Sequence, residues 1–346
     1  MKLLLTGDYF FDYKNSQDDF ENIKNKIKDF DYSIINYEGT LKSDSVRNKA
    51  VNLSMSEESL EFDSKNILFC LANNHIFDYD LDGYTKTISL IDTKNHKYFG
   101  LESKRDKFNN YKIIEKENLK ICIASFGWAN EECVLSSGSK PGNVDLTKEN
   151  IRLFFESIKN IKYDKLIIYT HYGYEYEYYP LPLHVNLFRY MIDLGADFIY
   201  SSHSHIIQPY EIYKEKYIFY GLGNFYFASR RDIYPESSDQ GLLLELDIDK
   251  DNINVLPKYI QYNRELKESL LDDCCDYFER DKLNIESFDI YSKEYKNFRL
   301  RKKNPRPILY KDSDFSNNLK FRIWKLIVDI TGFLKIRQII KRILGW

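Results

Sequence analysis

Seven short apolar runs, separated by polar stretches, constrain the fold of this 346-residue chain more than any other feature. The runs are "KLLLTGD", "DYSIINYEG", "NILFCLANNH", "KICIASFGW", "KLIIYTHYG", "DFIYSSHSH" and "YIFYGLGNF". Several intervening stretches, such as "SQDDFENIKNKIKDF" and "ENIRLFFESIKNI", carry apolar residues at helical spacing. Strands rich in Ile, Leu and Tyr that alternate with helices predict an α/β domain with buried strands.

The later part of the sequence follows different patterns. The stretch "GLLLELDIDKDNINVLPKYIQYN" alternates like a solvent-facing β-hairpin, whereas "KESLLDDCCDYFERDKL" predicts a helix. We therefore expect a main domain over residues 1–265, a helical extension with a basic linker over 266–314, and a C-terminal helical tail over 315–346.

Composition limits the classes to which the chain can belong. Apolar residues make up 43% of the sequence, which argues against a disordered protein. The five cysteines form no CxxC pair, a usage typical of reduced thiols in a reducing compartment. The first apolar run is too short for a signal peptide or a membrane span. These features predict a cytoplasmic protein.

Nearly every apolar run ends in a residue that can bind a metal ion or transfer a proton. The series is Asp8, Glu38, Asn74, His75, His171, His203 and His205. Because ligands of α/β sheets bind outside the carboxyl ends of the strands, we expect these groups to meet at one edge of one sheet. Taken singly, Asp8 is equally well explained as a helix cap and Glu38 as a solvated loop acid. Taken together, the series favours a common site.

The residue types in this series indicate metal chemistry. His203 and His205 are two residues apart, so both rings project to the same side of an extended chain, although a polar turn facing water fits the same spacing. A mixed set of imidazole, amide and carboxylate groups suits Mn, Fe or Zn. Two ions roughly 3.5–4 Å apart form a clamp for in-line attack on phosphorus. His75, beside Asn74, is placed to protonate the leaving oxygen; the alternative is an ordinary core or loop histidine.

The motifs also resemble a known family. They are "GD" at 7–8, "NYEG" at 36–39, "LANNHIFDYD" at 71–80, "HYGYEY" at 171–176, "GADFIYSSHSHIIQP" at 195–209 and "YGLGNF" at 220–225. In this order they resemble the CapA family of capsule and poly-γ-glutamate synthesis proteins, related to calcineurin-like metallophosphoesterases. The resemblance covers roughly residues 1–245. It implies a four-layer αββα sandwich with a two-metal centre at the strand ends.

The resemblance also implies roles for individual residues. The implied ligands of two divalent transition-metal ions (Mn, Fe or Zn) are Asp8, Glu38, Asn74, His171, His203 and His205. His75 is expected near the leaving group, with Asp78 orienting its ring. Glu175, Tyr176 and Asn224 are candidates for contacts with substrate. The chain departs from the wider superfamily at two positions that bear on the second metal: Phe10 replaces a histidine, and Glu38 replaces a bridging aspartate.

The C-terminal tail differs in charge from the rest of the chain. Residues 299–346 contain 13 Lys and Arg but three Asp and Glu, a local charge of +10, so residues 1–298 carry −13. Within residues 315–346, apolar side chains recur at helical spacing among basic ones, a pattern typical of a helix lying on an anionic membrane. A helix packed on the acidic body is the alternative. Nucleic acid is not an expected partner, because the body would repel its phosphates.

Together these features predict a cytoplasmic metal-dependent phosphoesterase, peripheral to the inner face of the cell membrane, that serves capsular or other cell-surface polysaccharide synthesis. Its expected substrate is a phosphomonoester or phosphodiester of a sugar or polyol. The alternative is a non-catalytic accessory subunit that binds an anionic polymer such as poly-γ-glutamate. A third hypothesis is a structural module without metal.

Overall fold

Two β-sheets packed face to face form the centre of the structure. The computed structural model describes residues 1–12, 24–25, 27–49, 51–63, 66–103, 108–227, 236–263, 268–273 and 282–283. Along the chain the strands are β1 (Lys2–Phe10), β2 (Tyr32–Tyr37), β3 (Thr40–Leu41), β4 (Ser54–Met55), β5 (Ile67–Cys70), β6 (Lys97–Phe99), β7 (Tyr111–Lys116), β8 (Leu119–Phe126), β9 (Lys165–His171), β10 (Phe198–Ser202), β11 (Tyr210–Tyr213), β12 (Lys216–Phe219), β13 (Asn224–Phe227), β14 (Gln240–Ile248), β15 (Ile253–Asn263) and β16 (Glu268–Asp273). The helices are α1 (Asp80–Thr93), α2 (Lys148–Ile158) and α3 (Pro182–Asp193), with 3-10 turns at Glu57–Leu60, Ala129–Glu131 and Glu236–Asp239.

Each of the two sheets contains a block of parallel strands. The first sheet runs β16-β15-β14-β1-β2-β5-β6, with β13 also paired to β1, and the second runs β11-β12-β10-β9-β8-β7. Strands β1, β2, β5 and β6 are parallel to one another, as are β8, β9, β10 and β12. The parallel block extends to the edge strand β6 in the first sheet and is internal in the second, and in each block the carboxyl ends of the strands lie on the same side.

The layers follow from alternation along each central strand. Leu3 and Leu5 of β1 face the second sheet and share a core with Ile167 and Phe198, while Leu4 faces outward. Because successive side chains of a strand point to opposite faces, a continuous apolar run buries both faces of its sheet.

Helices cover the outer faces of both sheets. Ile91 of α1 packs on the outer face of the first sheet, and Phe154 of α2 and Phe188 of α3 pack on the outer face of the second. The fold is therefore a four-layer αββα sandwich, and the sequence-based prediction of this α/β architecture is confirmed.

Several element predictions can be checked directly. Strands β14 and β15 form the expected antiparallel hairpin, and α2 lies within the predicted stretch 149–161 apart from its first residue. The helix expected over residues 267–283 is wrong for Glu268–Asp273, which form β16 and pair antiparallel with β15. Without β16, strand β15 would be the edge of the sheet and would leave its outer backbone groups unpaired, so pairing with it overrides the local helical pattern. This strand continues the first sheet past the domain boundary expected at residue 265.

The expected tail helix over residues 315–346 lies outside the described residues. Among the described residues, helices long and apolar enough to cross a membrane are absent.

Candidate metal centre

The carboxyl ends of the two parallel blocks converge on one buried cluster. Asp8 lies near the end of β1, Glu38 follows β2 directly, and His171 is the last residue of β9. Asn74 and His75 follow β5 by a few residues, and His203 and His205 follow β10. The prediction that one edge of one sheet would carry all of them is wrong, because the first sheet supplies one half of the cluster and the second sheet the other. All seven side chains are buried.

Glu38 occupies the middle of this cluster. Its Oε1 lies 3.7 Å from His171 Nε2, 3.8 Å from His205 Nε2 and 3.9 Å from His75 Nε2. Within the described residues, neither carboxylate oxygen of Glu38 has a hydrogen-bond partner. Burial, followed by the charge of Asp8, raises the pKa of the Glu38 carboxyl well above its usual range. A buried carboxylate in this state is stabilised by a cation, since it is otherwise desolvated without compensation.

Two ligand groups share Glu38. One consists of Glu38, His171 and His203, and the other of Asp8, Glu38 and His205, each with ligand atoms within 4.8 Å of one another. Because Glu38 belongs to both groups, its carboxylate would help to hold an ion in either of them.

His171 is oriented from behind by the second sheet. Its Nδ1 lies 3.1 Å from the hydroxyl of Tyr169, while its Nε2 faces Glu38 and lies 2.9 Å from Asn74 Oδ1. Burial and the neighbouring histidines lower the pKa of His171 well below its usual value. A neutral imidazole with one nitrogen held and the other directed into the cluster is the form that ligates metals.

The turn after β10 carries backbone strain. His203 has φ +96° and His205 has φ +56°, values that non-glycine residues rarely adopt. Such conformations cost about 1–3 kcal/mol each and persist where surrounding contacts hold them. Within the described residues, neither ring nitrogen of the fully buried His203 has a hydrogen-bond partner. Its Nε2 lies 3.8 Å from Glu131 Oε2.

Asp8 holds that turn in place. Its Oδ2 accepts the backbone N–H of His203 at 2.9 Å. Its Oδ1 accepts the side-chain amide of Asn36 at 2.7 Å and the hydroxyl of Ser202. Sequence reasoning missed Asn36 and Ser202. Asn36 lies directly opposite Asp8 in the β1–β2 pairing, which the sequence does not reveal.

His205 is fixed on its other side by Asn224. His205 Nδ1 lies 2.9 Å from Asn224 Oδ1 and 3.4 Å from Asp8 Oδ2. The Asn224 amide also donates to the carbonyl of Ser238 at 2.7 Å. Asn224, predicted as a substrate contact, is thus placed behind a predicted ligand.

An aromatic pair, Phe10 and Phe227, lies beside His205 in the cluster. Phe10 packs against Phe227 with ring centroids 5.3 Å apart, and Phe227 packs edge-on against His205 at 4.8 Å. Phe10 therefore offers packing where a ligand was expected.

His75 forms a tight group with Asp78 and a residue that the sequence did not single out. His75 Nδ1 lies 2.6 Å from Asp78 Oδ2, and Lys49 Nζ lies 2.8 Å from Asp78 Oδ1. Burial opposes ionisation of Asp78, yet the charges of His75 and Lys49 lower its pKa below the usual value. Burial lowers the pKa of His75. Lys49 lies in a stretch without regular apolar spacing, so no pattern in the sequence marked it.

The remaining predicted residues adjoin the cluster. Glu175 is half-buried, and its charge acts on both Glu38 and His75. Tyr176 is buried with φ +61°, and its ring centroid lies 5.8 Å from that of His205.

The donor set fits divalent transition-metal ions. Buried imidazole nitrogens, an amide oxygen and two carboxylates suit Mn, Fe or Zn, and the unpartnered oxygens of Glu38 lie among them. Glu38, His171, His203 and Asn74 would hold one ion, and Asp8, Glu38 and His205 the other.

Fold and cluster together define a two-sheet α/β protein with a candidate divalent-metal centre at its strand ends. A family model described as "Bacterial capsule synthesis protein PGA_cap" matches residues 2–229, and the chain belongs to this family. That membership confirms the resemblance to the CapA family.

Two curated relatives and two solved structures show further similarity. "Capsule biosynthesis protein CapA" of Bacillus anthracis is 28% identical over 221 residues, which cover 60% of this chain and 53% of the relative. "PGA biosynthesis protein CapA" of Bacillus subtilis is 27% identical over 225 residues, covering 62% and 58%. The chain thus spans little more than half the length of these relatives. The NAD nucleotidase of Haemophilus influenzae aligns over 87% of this chain and 60% of its own, with 14% identity and a TM-score of 0.45. A 5′-nucleotidase precursor of Thermus thermophilus aligns over 87% and 58%, with 12% identity and a TM-score of 0.46.

Proposed function

We propose that this member of the capsule synthesis family is a metal-dependent phosphoric ester hydrolase. The observation that carries the proposal is the position of Glu38, a buried carboxylate shared by two ligand groups and 3.9 Å from the ring of His75. Two divalent ions bound there would stabilise the charge that develops on the phosphoryl oxygens.

Residues of the chain would position the ligands and protonate the leaving group. Asp8, Asn36 and Ser202 hold the strained turn that directs His203 and His205 into the centre. Water forms the new bond to phosphorus while the bond to the ester oxygen breaks. The departing oxygen takes its proton from Nε2 of the protonated His75 ring. Asp78 at Nδ1 favours the protonated form, in opposition to the burial that lowers the pKa of His75.

The proposed substrate is a phosphomonoester or phosphodiester of a sugar or polyol used in capsular or other cell-surface polysaccharide synthesis. Membership of the family and the names of the two Bacillus relatives support the setting. The buried ligand set supports the reaction class.

A second candidate function is a non-catalytic accessory subunit for synthesis of an anionic polymer. Two observations favour it: the name of the Bacillus subtilis relative, and the aromatic packing of Phe10 where the superfamily has a ligand. In that case the centre would bind metal without turnover.

One experiment separates the two candidates. Metal content is measured on protein purified without chelators, and hydrolysis of nitrophenyl phosphate and bis(nitrophenyl) phosphate is followed after Mn²⁺ addition. Turnover that disappears in Glu38→Gln supports the hydrolase, whereas tightly bound metal with no turnover supports the accessory subunit. His96→Asn is the matched control, because His96 is a buried histidine bonded to the carbonyl of Leu60, away from the centre.

We further propose that the protein works at the cytoplasmic face of the membrane through residues 315–346. The basic, amphipathic sequence of that tail supports this placement. Deletion of the residues after Asp314 should abolish cosedimentation with anionic liposomes; cosedimentation that persists would contradict it.

A further inference from the structure

The most unusual cation near the centre is Lys49. Lys49 is only 8% exposed. Lysine is almost never fully buried unless it is paired, so its partners need to be identified. The Nζ atom lies 2.8 Å from Asp78 Oδ1, 2.9 Å from the carbonyl oxygen of Asn74 and 3.9 Å from Glu132 Oε2. These acceptors surround the ammonium, and two of them belong to the turn that carries the proposed proton donor.

The contact between Lys49 and His75 is not an attraction. The two nitrogens lie 3.3 Å apart, but His75 Nδ1 also lies 2.6 Å from Asp78 Oδ2. If the imidazole donates its Nδ1 proton to Asp78, no lone pair remains on that nitrogen for the ammonium. Lys49 therefore orients His75 through Asp78, while its nearby charge adds to the lowering of the His75 pKa that burial causes.

Both carboxylate oxygens of Asp78 accept hydrogen bonds in this arrangement. Its Oδ1 accepts from Lys49, while its Oδ2 accepts the His75 proton and the backbone N–H of Leu53 at 2.7 Å. The Asp78 carbonyl also accepts the backbone N–H of Arg47 at 2.8 Å. Arg47, Lys49 and Leu53 thus all bind Asp78, and Lys49 is the lysine that contacts its carboxylate among the described residues.

We propose that Lys49 is a positioning residue for proton transfer by His75. Its ammonium binds both the Asp78 carboxylate and the Asn74 carbonyl and so fixes their positions. Asp78 in turn holds Nδ1 of His75, so that Nε2 of the ring faces Glu38. The inference rests on the proposed function, since it assigns His75 the proton of the leaving oxygen. Among the described residues, the Lys49 ammonium contacts the Asn74 carbonyl, His75 Nδ1, Asp78 and Glu132, none of which is a proposed metal-ligating atom.

This role predicts a dependence on the leaving group. A dinitrophenolate departs without protonation, whereas phenolate departs far better with a proton. Replacement of Lys49 by alanine should reduce kcat about 10–100-fold for phenyl phosphate, the range typical when the partner of an active group is removed. For dinitrophenyl phosphate kcat should fall less than about threefold, with KM unchanged for both esters. A residue needed only for folding would lower both rates equally.

Rescue and controls sharpen the test. Ethylammonium added to Lys49→Ala should restore phenyl phosphate hydrolysis, because it fits the space that the side chain leaves. Lys42→Ala is the matched control, since Lys42 is an exposed lysine of the neighbouring stretch. All variants are compared at equal bound metal. If Lys49→Ala does not fold, Lys49→Met keeps the length of the buried side chain and takes its place.

A second readout does not need turnover. In histidine-labelled protein without metal, the Nδ1 proton of His75, assigned with His75→Asn, should give one sharp downfield NMR resonance that Lys49→Met broadens or removes. If wild type hydrolyses no ester but this resonance changes, the proposed function fails and the positioning role of Lys49 stands. An unchanged resonance, or equal losses on the two esters, overturns the inference.

Discussion

Asp8 and Glu38 are both completely buried acids at the ends of neighbouring strands, yet their surroundings are opposite. Asp8 accepts hydrogen bonds from Asn36, Ser202 and the backbone of His203. Within the described residues, Glu38 accepts none. The protein thus supplies hydrogen-bond donors for the Asp8 carboxylate, whereas the Glu38 carboxylate is available to a metal ion. The difference teaches that Asp8 supports the turn as well as offering a ligand atom, whereas Glu38 is the acid that most needs a cation in the proposed centre.

The largest expected effect comes from Glu38→Gln. The amide keeps the size of the side chain but removes the charge that both ligand groups share, so bound metal should fall from about two ions per chain to one or none. Elemental analysis of the purified variant measures this, with Glu102→Gln as the matched control because Glu102 is a buried acid elsewhere. Unchanged metal content in Glu38→Gln would show that Glu38 is no more important for metal binding than Asp8.

His75→Asn should give the next largest effect. The variant should retain metal but lose about 10²–10⁴-fold in kcat on phenyl phosphate, because the leaving oxygen no longer receives a proton. The measurement pairs steady-state kinetics with metal analysis. Equal loss on dinitrophenyl phosphate would show that His75 does not act on the leaving group.

Asp8→Asn tests the other side of the comparison. Its amide cannot accept all three donors, so the turn that carries His203 and His205 should loosen. We expect metal affinity to fall about 10–100-fold without complete loss of binding, measured by calorimetric titration with Mn²⁺. A loss as complete as that of Glu38→Gln would mean that Asp8 is an equal ligand and not mainly a support.

The smallest effect concerns stability without metal. The Glu38 carboxyl ionises near 4.5 when unfolded, but its pKa is raised well above that value in the folded protein. The folded state therefore holds the proton more tightly, so stability is greatest below the unfolded pKa and declines as pH rises toward the folded pKa.

Glu38→Gln should remove this decline and stabilise the metal-free protein at neutral pH by roughly 1–3 kcal/mol. Chelator-treated wild type and variant are compared by denaturant unfolding at pH 5 and pH 8. If wild type gains stability as pH rises over this range while the variant does not, the predicted direction of the pH dependence is wrong.

Much of this fold could be predicted from local pattern. Continuous apolar runs indicated strands buried on both faces, and the polar residue after each run marked the edge where the cluster lies. The division of that cluster between two sheets could not be predicted, because pairing of β8, β9 and β10 apart from β1, β2 and β5 depends on long-range packing. The β16 strand was missed for the same reason.

The supporting residues of the site were the least predictable. Asn36 and Ser202 reach Asp8 only through the registers of separate sheets. Lys49 reaches Asp78 from 29 positions away, along a stretch without periodicity. Ligands carried recognisable motifs, whereas the groups that orient them are set by tertiary structure.

The most direct measurement is the number of Mn²⁺ ions bound per chain by wild type and by Glu38→Gln, with hydrolysis of nitrophenyl phosphate followed in the same samples. We predict about two ions and Mn²⁺-stimulated turnover in wild type, and one ion or none without turnover in the variant. Wild type that binds no metal, or Glu38→Gln that binds and turns over like wild type, would contradict it.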